Sequence, residues 1–154
     1  MEPMIDRMGG EDKVHLLVDH FYDLIETLPQ GRAIMEMHLK GHGLSHVRPA
    51  QFEFLCGFFG GRRYYHERHG HMNLREIHAH VEIRAADAED WLAVMDRAMG
   101  DVGVDAAIRD QLNSTFRRAA LMLVTHDPHL AAAVGTRTLD FASSDQPTAA
   151  MLAA

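Results

Sequence analysis

The chain has 154 residues, enough for one domain with a real core and too few for two ordinary ones. Its formal charge of −7 disfavours an extended nucleic-acid surface, which needs clustered Lys and Arg to neutralise phosphate, and the run Arg62-Arg63 is too short to reverse that. A single cysteine, Cys56, excludes an internal disulfide and leaves no Cys-x-x-Cys pair for zinc or redox chemistry.

The amino terminus, Met1 to Asp6, is acidic and lacks the basic and apolar regions of a signal peptide. The longest apolar run, Ala119 to Val124, is too short to cross a bilayer. A soluble, cytoplasmic protein is therefore expected. The 12 His and 10 Met are unusual. Methionine fills irregular apolar space around bulky ligands as readily as it fills ordinary cores, so it decides nothing by itself.

In chain order, Gly9-Gly10 ends a short first segment, and Glu11-Asp12 opens a helix with Val14, Leu17, Val18, Phe21, Leu24, Ile25 and Leu28 at helical spacing. Pro29-Gln30-Gly31 breaks it. Ile34, Met35 and His38 then share one side of a short helix that ends near Lys40-Gly41, followed by a Gly41-His42-Gly43 loop. Ser45 is placed to cap the next helix, with Pro49 tolerable in its first turn and Phe52, Phe54, Leu55, Phe58 and Phe59 along it. Gly60-Gly61 stops that helix.

The stretch from Arg62 to Asn73 is polar, aromatic and rich in His without a period, and reads as a loop with one helical turn at most. Leu74 to His78 is a short helix. Ala86 or Asp87 starts another, carrying Trp91, Leu92, Val94, Met95 and Met99. A long final helix runs from Val104 or Asp105 to about Val124, with the stripe Ile108, Leu112, Phe116, Ala119 and Leu123. No segment alternates as a half-buried strand does, so the fold class is all-α. The tail from Gly135 onward, polar and then Ala-rich, is expected to be mobile.

Two residues stand out for chemistry. His78, at the end of a short helix and thirteen residues before Trp91, is a neutral imidazole of the kind that holds a haem iron from one side. Its surroundings resemble a known family. Gly9-Gly10, then Phe21-Tyr22-Asp23-Leu24, Met37-His38, Phe52-Glu53-Phe54-Leu55, Phe58-Phe59-Gly60-Gly61, Tyr65, Glu67 to His71, Leu74-Arg75, His78-Ala79 and Asp90-Trp91-Leu92 look, in order and spacing, like a truncated haemoglobin of the second group.

The resemblance covers Met4 to Val124 and implies a two-over-two helical sandwich around haem b, with a haem domain over residues 1–134 and a tail over 135–154. It makes His78 the proximal iron ligand. Tyr22, His38, Val47, Gln51 and Trp91 match distal positions, and Phe54, Tyr65, His71 and Arg75 are the candidates to hold the macrocycle and its propionates. The chain departs from the family where Ala50 replaces an arginine that reaches a propionate, where Ile77 precedes the proximal histidine, and where Ala79-His80-Val81 replaces Ala-Pro-Phe.

On the residues alone, Tyr22 is either a core aromatic or a hydrogen-bond donor to ligand, and Trp91 and Gln51 carry the same choice. His38 is either a surface cap or a third polar group at the ligand. Val47 cannot hydrogen-bond and would shape a ligand entrance. His66 and His69 share a helix face suited to zinc or nickel, but no complete signature such as His-Glu-x-x-His is present, and they read with His71 and His80 as solvated loop residues.

The resemblance implies binding of O₂, CO and NO at iron, with NO oxidation or peroxidase-like turnover only if a separate reductase supplies electrons. No nucleic-acid or membrane partner is expected, and the assembly is a monomer or homodimer. The rival reading is a haem-free helical module that binds a partner or a divalent metal through the His-rich loop.

Overall fold

In a computed structural model the protein is described over residues 2–40, 46–79 and 81–124. The helices are α1 (Met4–Met8), α2 (Gly10–Thr27), α3 (Arg32–Lys40), α4 (Val47–Phe58), α5 (Tyr64–His69), α6 (Leu74–Ile77), α7 (Ala85–Asp101) and α8 (Ala106–Leu123), with a short 3-10 turn at Pro29–Gly31. Among the described residues there is no strand. No described helix is long and apolar enough to cross a membrane.

Each long helix buries the stripe its sequence draws. Along α2, Val14, Leu17, Val18, Phe21, Leu24 and Ile25 are buried, as the spacing requires. Those residues face α4 on one side and α7 on the other, while α7 packs on α8 and α4 on α5. Phe58, Phe59 and Phe116 join the two layers: the Phe58 and Phe116 rings stack with centroids 5.5 Å apart and planes 2° from parallel. Each large apolar side chain so enclosed contributes about 1.5–3 kcal/mol relative to exposure. Asp96 locks α7 to α8, accepting from Arg109 Nε at 2.8 Å and Asn113 Nδ2 at 2.7 Å.

Several boundaries differ from the sequence reading. The segment before Gly9-Gly10 is itself helical, and α2 starts at Gly10, because Gly9 at φ 122° and Gly10 at φ 81° turn the chain where residues with a Cβ would be strained. The helix α7 starts at Ala85, where Asp87 Oδ2 accepts from Arg84 N at 3.1 Å. Leu123 is only half-buried and Val124 closes the stripe instead. The stretch read as a His-rich loop contains α5, which Gly70 ends in the left-handed region at φ 80°. Its local period was hidden because none of its residues is buried. The expected Ser45 cap, the Gly41-His42-Gly43 loop, His80 and the tail lie outside the described residues.

Candidate functional site

His78 is positioned by the short segment before it. Met72, fully buried, packs on Gly57, where an added Cβ would fall 3.1 Å from the Met72 sulfur. Asn73 then caps α6: its Oδ1 accepts from Arg75 N at 3.0 Å and Glu76 N at 3.3 Å, meeting two otherwise orphaned donors. His78 is the C-cap, its amide bonded to Leu74 O at 3.0 Å and its ring Nδ1 to the same carbonyl at 2.8 Å. A carbonyl only accepts, so Nδ1 carries the proton and the neutral ring has its lone pair on Nε2. Removing the cap by Asn73→Ala is expected to cost about 1 kcal/mol, a fall in melting temperature of roughly 2–4 °C for a chain of this size, measured by thermal unfolding.

Tyr22, on α2, is 3% exposed. Its ring lies edge-on to Phe21, 5.0 Å away, and to His38, 5.7 Å away. Burial raises the phenol pKa far above its usual value, opposed by the nearby Arg48 charge, so the hydroxyl stays protonated and is a donor. It has no hydrogen-bond partner among the described residues. His38 Nδ1 bonds Ile34 O at 2.7 Å, which gives its neutral ring an acceptor at Nε2.

Trp91 is half-buried between Phe21 at 5.4 Å and Phe116 at 5.3 Å, so Phe21 bridges it to Tyr22. Gln51 and Val47 are half-buried on α4. Neither the Gln51 amide nor the Trp91 indole N–H makes a side-chain hydrogen bond among the described residues. A third group, Phe54, Tyr65 and His71, is brought together around Tyr65, with ring centroids 5.7 Å from Phe54 and 6.5 Å from His71. Arg75 does not join it: the side chain is exposed and makes no ion pair among the described residues.

The chain matches the model of the family described as bacterial-like globin over residues 4–124. It is 34% identical over 115 residues to the group 2 truncated hemoglobin YjbI of Bacillus subtilis (strain 168), covering 75% of this chain and 83% of that one. The chain belongs to the bacterial-like globin family, among the group II truncated haemoglobins. Its fold is similar to the group II 2-on-2 hemoglobin of Agrobacterium tumefaciens, with a TM-score of 0.74 at 29% identity over 80% of this chain and 94% of that one. It is also similar to the truncated oxygen-avid haemoglobin of Bacillus subtilis, with a TM-score of 0.69 at 30% identity over 80% of this chain and 99% of that one. Membership implies haem-based binding of oxygen and related ligands.

The residues of this globin fit such a group. A buried phenol donor, with an indole N–H and an amide that have no side-chain partner among the described residues, is a donor set suited to a polar ligand in a dry site. A histidine whose Nδ1 is held by a carbonyl, as His78 is, has the donor chemistry that such an iron would need. Among the described residues no group of three His, Cys, Asp or Glu is placed to hold a metal ion. His71 is already engaged, Nδ1 accepting from Asn73 N at 3.1 Å and Nε2 lying 3.6 Å from Glu76. Cys56 is fully buried, and burial, with Glu11 and Glu53 adding to it, pushes its thiol up to about 12, so it stays protonated and unreactive.

Three positions that shape this site escaped the sequence reading: Met72, Asn73 and Arg48. Asn73 had a readable signal, an Asn followed three residues later by Glu76. Met72 and Arg48 act across 15 and 29 residues of chain, on Gly57 and Asp19, and nothing local marks them.

Proposed function

We propose that this globin holds haem b through His78 Nε2 and binds O₂, with CO and NO as related ligands, in a pocket lined by Tyr22, His38, Val47, Gln51 and Trp91. The haem group supplies an iron with one position open to a diatomic ligand. The observation that carries the reading is the buried, protonated Tyr22 hydroxyl, which has no partner among the described residues and stands beside His38.

Each residue has a defined part. His78 presents Nε2 while Leu74 O holds the proton at Nδ1 and fixes the ring. Tyr22 and the Trp91 indole donate hydrogen bonds. Gln51 adds an amide able to donate or accept. His38, with Nδ1 held by Ile34 O, offers Nε2 as an acceptor. Val47 keeps the approach apolar. Phe54, Tyr65 and His71 form the edge against which the macrocycle packs, and Arg75 swings to a propionate from its exposed position. Residues 1–134 constitute the haem domain and 135–154 a tail. NO oxidation or peroxide turnover would draw its electrons from a separate reductase.

Titration of the purified chain with haemin tests the core of this reading: a Soret band that saturates at one haem per chain is expected, and its absence overturns the function. Within it, Tyr22→Phe removes a donor facing a partly charged acceptor, worth about 1.5–3 kcal/mol. The O₂ dissociation rate should therefore rise roughly tenfold or more. A rate equal to the parent's would remove the donor role.

A further inference from the structure

The first turn of α4 carries Val47, and little of its own chemistry holds it. His46 precedes it as N-cap without a side-chain hydrogen bond, so the first turn lacks the usual capping oxygen. What fastens it is the next residue. Arg48 reaches α2 with Nη1 bonded to Asp19 O at 2.9 Å and Nη2 bonded to Asp23 Oδ1 at 2.9 Å. Asp19 Oδ1 at 3.4 Å and Glu26 Oε1 at 3.7 Å complete the set. Between those carboxylates, on the same side of α2, is Tyr22, whose ring centroid lies 5.8 Å from the guanidinium carbon.

We propose that Arg48 is a salt-sensitive latch that pins the first turn of α4 to α2 and so sets how often a ligand passes Val47 to reach Tyr22. This rests on the distal roles given to Tyr22 and Val47 above. Asp19, Asp23 and Glu26 occur at successive helical turns, so their mutual repulsion opposes the closed seam unless a cation stands among them. His15 Nδ1 lies 3.2 Å from Asp19 Oδ2 at that end. The Arg48 side chain is 32% exposed, and the carboxylates more so, which leaves the latch open to screening by dissolved ions. The planar guanidinium bonds a backbone carbonyl and a carboxylate at once, a geometry a lysine ammonium cannot reproduce.

Two measurements on the full chain test the latch and the gate separately. Hydrogen exchange read on a peptide covering residues 46–52 needs no haem: Arg48→Gln should speed exchange there roughly fivefold, Asp23→Asn by less, and Arg48→Lys should restore only part of the protection. The parent's exchange should approach that of Arg48→Gln between about 0.01 M and about 1 M NaCl, as the Debye length falls from roughly 30 to 3 Å. After haem loading, CO association following flash photolysis should rise with salt in the parent, and be fast and independent of salt in Arg48→Gln. Unchanged exchange overturns the latch. Faster exchange with unchanged CO association reduces Arg48 to a structural tie and overturns the gate. A chain that takes up no haem overturns the proposed function and the gate together, and exchange then decides the latch alone.

Discussion

His78→Ala is expected to lose stable haem binding while keeping its helical fold. His78 terminates α6 rather than filling the core, is half-buried, and takes no part in the stripes that join α2, α4, α7 and α8. Truncating it therefore leaves the main packing untouched. What disappears is the Nε2 lone pair and, with it, the hydrogen bond from Nδ1 to Leu74 O. Loss of a partner that merely orients a ligating histidine typically weakens metal binding by 10–100-fold, so loss of the ligand itself should weaken haem retention by more than about 100-fold. The measurement is transfer of haem to an excess of apomyoglobin, together with the ferrous and CO spectra. Added imidazole should restore a five-coordinate ferrous spectrum in His78→Ala, because the site then lacks only its donor nitrogen. A variant that keeps haem with unchanged spectra would move the proximal role to another residue.

The long helices and the residues they carry were legible because their signal is periodic and local. Phe21 and Leu24 on α2, or Ile108 and Phe116 on α8, declare a buried face by spacing alone. Ile34, Met35 and His38 were expected on one side of a short helix, and there Ile34 is buried with the other two half-buried around it. The pairing of Tyr22 with His38 follows from that face and from the resemblance together. By contrast, α5 has no buried residue to give a period, and Met72 plugs the core from a stretch whose neighbours are polar. The Arg48 network was unreadable for a further reason: an arginine on a helix is usually solvated, and only the folded approach of α4 to α2 brings Asp19 and Asp23 within reach. Arg75 is a different case: its side chain is exposed, and only the family pattern, not any contact with the rest of the chain, points to a propionate role for it.

The geometry that sets His38 beside Tyr22 depends on the tight turn between α2 and α3, and Gly31→Ala should break it. The last turn of α2 closes with Leu28 N on Leu24 O at 2.8 Å, and Gly31 N then bonds Leu28 O at 3.0 Å as the chain folds back. In that return the Gly31 Cα is pressed against the backbone of Ile25: an added Cβ would lie 2.0 Å from Ile25 O and 2.5 Å from Ile25 Cα. Those atoms belong to α2 itself and cannot rotate away as a side chain would. The methyl group must push α3 off α2, opening the core at Ile25 and Ile34, both nearly fully buried. Overpacking against backbone at a buried site should cost about 3 kcal/mol or more. For a chain of this size that is a fall of roughly 6–12 °C in melting temperature. Gly70→Ala is the control, since Gly70 sits at φ 80° with nothing within 4 Å of an added Cβ. It carries only the backbone penalty of about 1–2 kcal/mol. Gly31 is not in the left-handed region and carries no such penalty, so a loss at Gly31 no larger than that at Gly70 would mean that the turn gives way at little cost and the Ile25 contact does not make Gly31 necessary. A larger loss at Gly31, with a faster O₂ dissociation rate measured well below the transition, is the expected result, because the displaced α3 carries His38 away from Tyr22.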